Sequence, residues 1–226
     1  MTTVFIISAP SGSGKSTLVN KVRQSVHNLN FSISYTTRKP RGHEQDGREY
    51  FFISREHFED MIRNHEFLEY ATVFETDYYG TACRFLQQAK EQGCDLLLDI
   101  DVQGAAQIKL KIPDAVSVFI LPPNRAELEK RLRERGQDSE AKIQRRLDEA
   151  SREIENYGKY DYILVNDRLD ESVKALEAIL LSERLRRQDR TDAGLSATAE
   201  KYRLRNVRER LQPILQSFGK TATSAK

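Results

Sequence analysis

The stretch "TVFIISAPSGSGKST", residues 3 to 17, constrains the fold of this chain more than any other. Its first half is a short apolar run that reads as a strand buried on both faces. Its second half places glycines at 12 and 14, a lysine at 15 and hydroxyls at 16 and 17, directly before a helical stripe of Leu18, Val19, Val22 and Val26. Glycines at that junction let the backbone turn its N–H groups inward around a polyphosphate, and the helix N-terminus adds its positive end. Lys15 is placed to reach the outer phosphates and the Ser16 hydroxyl to ligate Mg²⁺. Ala9 stands where the pattern has its first glycine, a substitution that is tolerable if the residue keeps ordinary strand dihedrals. The motif implies a nucleoside triphosphate and leaves hydrolysis and transfer both open.

The rest of the chain fits an α/β core around that strand. "CDLLLDI" (94 to 100), "AVSVFIL" (115 to 121) and "YDYILV" (160 to 165) read as further buried strands. Helical periodicity covers 15 to 28, 124 to 135 (opened by a cap pair of Asn124 and Glu127), 138 to 157 and 169 to 187. Strands alternating with helices predict a parallel sheet covered on both faces. Residues 33 to 81 break that rhythm. "FSISYTT", "EYFFIS" and "FLEYATVF" are rich in aromatic and β-branched residues, with one short helix around "REHFEDMIRN", and predict an inserted mixed or antiparallel sheet.

Composition narrows the class. With 226 residues, 38% hydrophobic and 31% charged, the chain can bury a full core, and no run approaches a membrane span or a secretory leader. Cys83 and Cys94 match no disulfide framework, and the four histidines have no metal-ligand spacing. A cytoplasmic protein without a transition-metal site is expected. The net charge of +2 is uneven, with about eleven Lys and Arg against about four Asp and Glu from Arg184 onward. A basic tail on an otherwise near-neutral body argues against nucleic-acid binding, and no membrane contact is expected.

The connector "SYTTRKPRGHEQDGREYFF", 34 to 52, sets Arg38 and Arg41 about Pro40 and follows them with Tyr50. Planar guanidinium forks and a phenol suit a monophosphate. Together with "FLEYATVF", "YYGT" and "LLLDIDVQGA" in this order, the stretch resembles the guanylate kinase family, and the resemblance runs from about Val4 to about Arg187. It implies a stand-alone bacterial-type enzyme that phosphorylates GMP from ATP, with Mg²⁺. It also implies a core of 1–32, 86–122 and 156–187, a GMP-binding insert of 33–85, a lid of 123–155 and a basic extension of 188–226.

Site residues follow from the same resemblance, position by position. Ala9, Pro10, Ser11, Gly12, Ser13, Gly14, Lys15, Ser16 and Thr17 would hold the ATP phosphates, with Asn166 of "VNDRLD" beside the adenine. Arg38, Arg41, Tyr50 and Tyr79 match the ligands of the GMP phosphate, Glu69 and Asp101 the guanine-reading carboxylates, and Ser34 and Thr81 the accompanying hydroxyls. Such carboxylates suit guanine, whose N1–H and amine are donors, because another base would leave them unpaired. Lys15, Arg38, Arg131, Arg135 and Arg146 are the candidate catalytic cations, since phosphoryl transfer depends on positioning and charge compensation. Asp99 is read either as part of the Mg²⁺ shell, through water, or as the cap of the next helix. The family pattern is departed from at Gly42-His43, where the glycine is shifted by one place.

Two alternatives stand against this reading. A non-catalytic module that binds phosphorylated peptides is opposed by Lys15, Ser16 and the lid arginines, and a kinase for another acceptor by the paired carboxylates. In the extension, "DRTDAGLSATAE" reads as a flexible linker. Beyond it Leu204, Val207, Leu211, Ile214 and Phe218 form a short seam interrupted by Pro213, expected to pack on a protomer, its own or a neighbour's.

Overall fold

In a computed structural model of the chain, the described residues are 2–73, 76–134 and 139–219. The elements alternate as the apolar runs require. Strand β1 (Val4–Ser8) leads to helix α1 (Lys15–Ser25), followed by β2 (Leu29–Phe31), β3 (Tyr35–Thr36), β4 (Phe51–Phe52), α2 (Arg55–Arg63), β5 (Phe67–Val73) and β6 (Asp77–Ala82). Then come α3 (Cys83–Gln92), β7 (Asp95–Asp99), α4 (Val102–Lys111), β8 (Val116–Leu121), α5 (Arg125–Glu134), α6 (Glu140–Ile154), β9 (Tyr162–Val165) and α7 (Leu169–Arg186). The extension holds α8 (Ala193–Glu200), α9 (Leu204–Val207) and α10 (Gln212–Ser217). Five strands form one sheet in the order β2-β7-β1-β8-β9, and four form a second in the order β4-β3-β6-β5.

By compactness the chain divides into two units. The first comprises Met1–Ile6 and Asn28–Ala115. There β2 pairs parallel with β7, whose Leu96, Leu97 and Leu98 are wholly buried, as a strand covered on both faces must be. Asp95, at the start of β7, accepts the Thr3 N–H at 2.8 Å. The smaller sheet is mixed, with β3 parallel to β4 and antiparallel to β6. Its core is aromatic: Phe58 stacks between Phe67 at 4.4 Å and Tyr78 at 5.1 Å, centroid to centroid, beside Tyr35, Met61 and Ala82.

The second unit comprises Ile7–His27 and Val116–Lys226. Here β8 and β9 pair parallel from Val118↔Tyr162 to Leu121↔Val165, and α1 packs against α7. Leu128 and Leu132 of α5 and Ile143, Leu147, Ala150 and Ile154 of α6 turn buried stripes inward at helical spacing. Asn124 caps α5 as its sequence suggested, accepting the Glu127 N–H at 2.8 Å.

Three readings are corrected. "FSISYTT" is not one strand: Phe31 belongs to β2 in the parallel sheet, while Tyr35 and Thr36 form β3 in the mixed one, because the bonding partner changes between them. The segment read as a flexible linker contains α8, since the Asp192 carboxylate accepts the Leu195 N–H at 2.8 Å and Ala199 is buried as α8 packs on α7. The seam beyond it is shifted. Val207, Leu211, Leu215 and Phe218 are buried within the chain itself, Ile214 is half-exposed, and Pro213 starts α10 instead of interrupting a longer helix.

Candidate active site

The glycine-rich loop at 9 to 17 takes the conformation its glycines permit. Gly12 and Gly14 have φ of +98° and +85°, and Ala9 is not among the positive-φ residues, which is the condition its tolerance required. Gly14 precedes α1, and its carbonyl accepts the Leu18 N–H at 3.1 Å. Ser13 N–H donates to the Pro10 carbonyl at 3.1 Å, which tightens the turn.

Neither glycine has room for a side chain. A Cβ on Gly14 would stand 2.4 Å from Asn166 Nδ2, and one on Gly12 would stand 2.8 Å from both Leu128 Cδ1 and Leu132 Cδ2. Asn166 is buried just past β9, and its amide donates to the Ser13 carbonyl at 2.8 Å. Its side chain thus holds the loop itself. Ser16 and Thr17 are exposed at the start of α1, with Lys15 half-buried beside them.

Two cations, from α5 and α6, reach the loop or the residue that holds it. Arg131 Nη1 donates to the Asn166 carbonyl at 3.1 Å while its Nε pairs with Glu127 at 2.9 Å, and Arg146 Nη2 meets the Ser11 hydroxyl at 2.5 Å. Arg135 lies outside the described residues. Arg133 and Arg145 belong to exposed ion pairs with Glu129 and Glu140, and with Glu149.

The first unit gathers around β6 several of the residues expected to hold the acceptor. Arg38 is 7% exposed, and four of its five N–H groups are engaged: Nε with the Tyr79 hydroxyl at 2.9 Å, Nη1 with the Lys39 carbonyl and Glu44 Oε2, and Nη2 with Glu44 Oε1. Burial alone would lower the Arg38 pKa, but the bonds to Glu44 and Tyr79 hold it above its ordinary value. The Arg38 bond likewise draws the Glu44 carboxyl below its usual range. The Tyr50 ring lies 5.1 Å from the Arg38 guanidinium and 5.8 Å from the Tyr79 ring. Arg41 is exposed, and its backbone N–H also bonds Glu44, at 2.7 Å. Gly42 takes φ +54°, so the shifted glycine does carry the left-handed residue of this turn.

Two residues from Tyr79, and so on the same face of β6, Thr81 pairs with Glu69 of β5. Glu69 is 3% exposed, and burial pushes its carboxyl up to about 7. Thr81 opposes that rise, the Asp101 charge reinforces it and Lys111 opposes it in turn. Among the described residues the buried Thr81 hydroxyl has no hydrogen-bond partner of ordinary geometry. Asp101 caps α4, accepting the Gly104 N–H at 2.8 Å, so the cap falls to this residue and not to Asp99, the half-buried last residue of β7. A Cβ on Gly104 would lie 2.4 Å from Glu69 Oε2. Ser34 is half-buried, and its carbonyl accepts the Phe51 N–H at 2.9 Å.

The sequence reading missed two residues here. Glu44 is the partner of Arg38, a role its place three residues after Arg41 hinted at through the turn it closes. Gly104 is required by the Glu69 carboxylate, and an isolated glycine within the helical "VQGAAQ" was the available signal.

A glycine cradle between strand and helix, gripped by Asn166 and reached by Arg146, together with a buried carboxylate in a separate sheet and a buried arginine just past one of its strands, define a P-loop nucleotide kinase. Comparison with known proteins sharpens the class. The family model described as "Guanylate kinase" matches residues 1–183. The guanylate kinase of Koribacter versatilis (strain Ellin345) is 54% identical over 96% of this chain and 95% of its own, and that of Escherichia coli (strain K12) is 46% identical over 86% and 96%. Among solved structures, the crystal structure of guanylate kinase from Anaplasma phagocytophilum superposes with a TM-score of 0.68 at 32% identity, over 81% of this chain and 87% of that one. The chain belongs to the guanylate kinase family.

Proposed function

We propose that this protein transfers the γ-phosphoryl group of ATP to GMP, and to dGMP, giving ADP and the nucleoside diphosphate. The observation that carries this reading is the buried Glu69, faced by Thr81 and Asp101 and given room by Gly104, in a chain that also holds a formed triphosphate loop. A carboxylate out of water is costly unless its ligand supplies donors, and guanine supplies two. Glu69 accepts from the base, with Asp101, Ser34 and Thr81 completing the selection. Arg41, Tyr50, Tyr79 and the remaining N–H of Arg38 hold the acceptor phosphate, with Glu44 keeping Arg38 in place.

On the donor side the backbone of 9 to 17 cradles the phosphates and Asn166 fixes the loop through Ser13. Lys15, Arg131, Arg135 and Arg146 compensate charge on the group in flight. The Ser16 hydroxyl, exposed at the start of α1, fits Mg²⁺ as an oxygen donor of the kind magnesium takes together with phosphates and water, and Asp99 at the end of its buried strand would act through water. When bound, the ion neutralises phosphate charge. No described helix is long and apolar enough to cross a membrane. A cytoplasmic enzyme of guanine-nucleotide synthesis and salvage is the setting this activity suits.

The test is ADP formation with ATP, Mg²⁺ and GMP, AMP, CMP or UMP in turn, for the natural protein and for Lys15→Ala and Glu69→Ala. Turnover with GMP, abolished by Lys15→Ala and weakened by Glu69→Ala, is the expected result. GMP binding without turnover of any monophosphate would overturn the assignment in favour of a binding module.

A further inference from the structure

The matched family segment ends at residue 183, yet the residues after it are built into the donor side of the protein. We infer that the C-terminal extension is a positioning element of the triphosphate site, acting through α10 and α5. The inference rests on the reading that the loop at 9 to 17 takes ATP.

The link begins at the first turn of α5, where helix geometry leaves backbone donors without partners. Asn124 serves one of them, its side chain taking the Glu127 N–H, while its carbonyl takes the first regular helical bond from the Leu128 N–H at 3.2 Å. The Arg125 N–H is served from far along the chain, donating to the Ser217 hydroxyl of α10 at 3.1 Å. That hydroxyl is itself oriented, because it donates to the Ile214 carbonyl at 2.6 Å. Leu215 and Phe218 are buried as α10 packs against α5.

One face of the same helix touches the nucleotide loop. Leu128 and Leu132 lie so close to Gly12 that not even a methyl group would fit, and one turn of α5 carries Arg131 to the carbonyl of Asn166. Asn166 in turn holds Ser13. A small tilt at the start of α5 is therefore felt at Gly12 through packing and at Ser13 through two hydrogen bonds, since close-packed contacts transmit displacement.

The extension has a fixed base from which to act. Its residues 202 to 204 lie along β9, with Ile163 N–H donating to the Tyr202 carbonyl at 2.9 Å and Leu204 N–H to the Asp161 carbonyl at 3.1 Å. Below them Glu183, 2% exposed, takes the Tyr162 hydroxyl at 2.5 Å, Arg186 at 2.7 Å and Arg203 at 2.5 Å. A base anchored this way can brace a helix where a loose tail could not.

The experiment uses the full chain with Ser217→Ala, Ser217→Thr and Phe218→Ala. Affinity for a non-hydrolysable ATP analogue is measured by titration, KM by steady-state assay for ATP and GMP separately, and folding by thermal melting. Ser217→Ala should weaken analogue binding and raise KM for ATP about threefold to tenfold, the scale of a lost helix cap, with KM for GMP unchanged. Ser217→Thr, which keeps the hydroxyl, should restore the natural values, and Phe218→Ala should act like Ser217→Ala. Unchanged ATP parameters in folded Ser217→Ala and Phe218→Ala, or equal shifts for ATP and GMP, would overturn the inference. Absence of GMP turnover in the natural protein would count against the proposed reaction alone, because the analogue titration still reads the brace.

Discussion

Glu69→Gln should remove a pH dependence of stability whose size follows from the burial of one carboxyl. The folded protein holds the Glu69 proton up to about pH 7, whereas an ordinary glutamate gives it up near 4.5. Below about 4.5 both folded and unfolded chains keep the proton, and burial of the neutral acid is tolerated. As the pH climbs toward 7 the unfolded chain ionises first, so folding stability drains away with each step, and the loss is complete once the folded carboxyl ionises as well. The separation of the two values corresponds to roughly 3 kcal/mol at most. Gln keeps the shape and carries no proton to lose. Relative to Glu69→Gln, the natural protein should therefore lose up to about 3 kcal/mol between pH 4.5 and 8, or some 6–12 °C of melting temperature for a chain of this size. Paired thermal melts at half-unit pH intervals measure it. The same ionisation should tighten GMP by up to about tenfold per pH unit up to pH 7 and leave affinity level above, because only the anion offers both oxygens as acceptors to guanine N1–H and its amine. A stability difference between the two proteins that stays constant from pH 5 to 8 would refute the argument, since the carboxyl would then titrate alike in the folded and unfolded chain.

Three further outcomes are expected. Glu44→Ala leaves the buried Arg38 fork without its counter-charge, and should cost about 2 kcal/mol in chemical denaturation while raising KM for GMP severalfold. Gly104→Ala should favour the helix by its intrinsic propensity yet drive a methyl into the Glu69 carboxylate, so GMP affinity should fall about tenfold with ATP-analogue affinity intact, as titration of each will tell. Glu183→Ala removes the acceptor shared by Tyr162, Arg186 and Arg203, and should lower stability by about 3 kcal/mol or more in a denaturant melt.

The elements with the strongest local signal were the ones readable from the sequence. β7 and β8 announced themselves as uninterrupted apolar runs, and α5 by Asn124 and its stripe of leucines. The P-loop was readable because its chemistry demands glycine, lysine and hydroxyl at fixed spacing between strand and helix. Harder to read was whatever depended on a distant partner. Alternation in "FSISYTT" says which faces are buried but not which sheet bonds each residue, so the switch between β2 and β3 was invisible. Asp192 and Gly194 look like loop residues until Asp192 is seen as a cap and Ala199 as buried. The pairing of Arg38 with Glu44 hides behind the general suitability of arginine for phosphate. Asn166 was placed by resemblance beside a base, and its grip on the loop at Ser13, a partner far off in the chain, had no local signal.

The covering of β9 by residues 202 to 204 also has a consequence in time. β9 stands at the edge of the five-stranded sheet, and an uncovered edge is a template for pairing with another chain. On the ribosome, β9 emerges about forty residues before the segment that seals it, an interval of roughly 2–8 s at ordinary rates of synthesis. During that interval the nascent chain presents an open β edge, so conditions that slow translation between Val165 and Leu204 should raise the share of product that aggregates, even though the finished protein is unaltered.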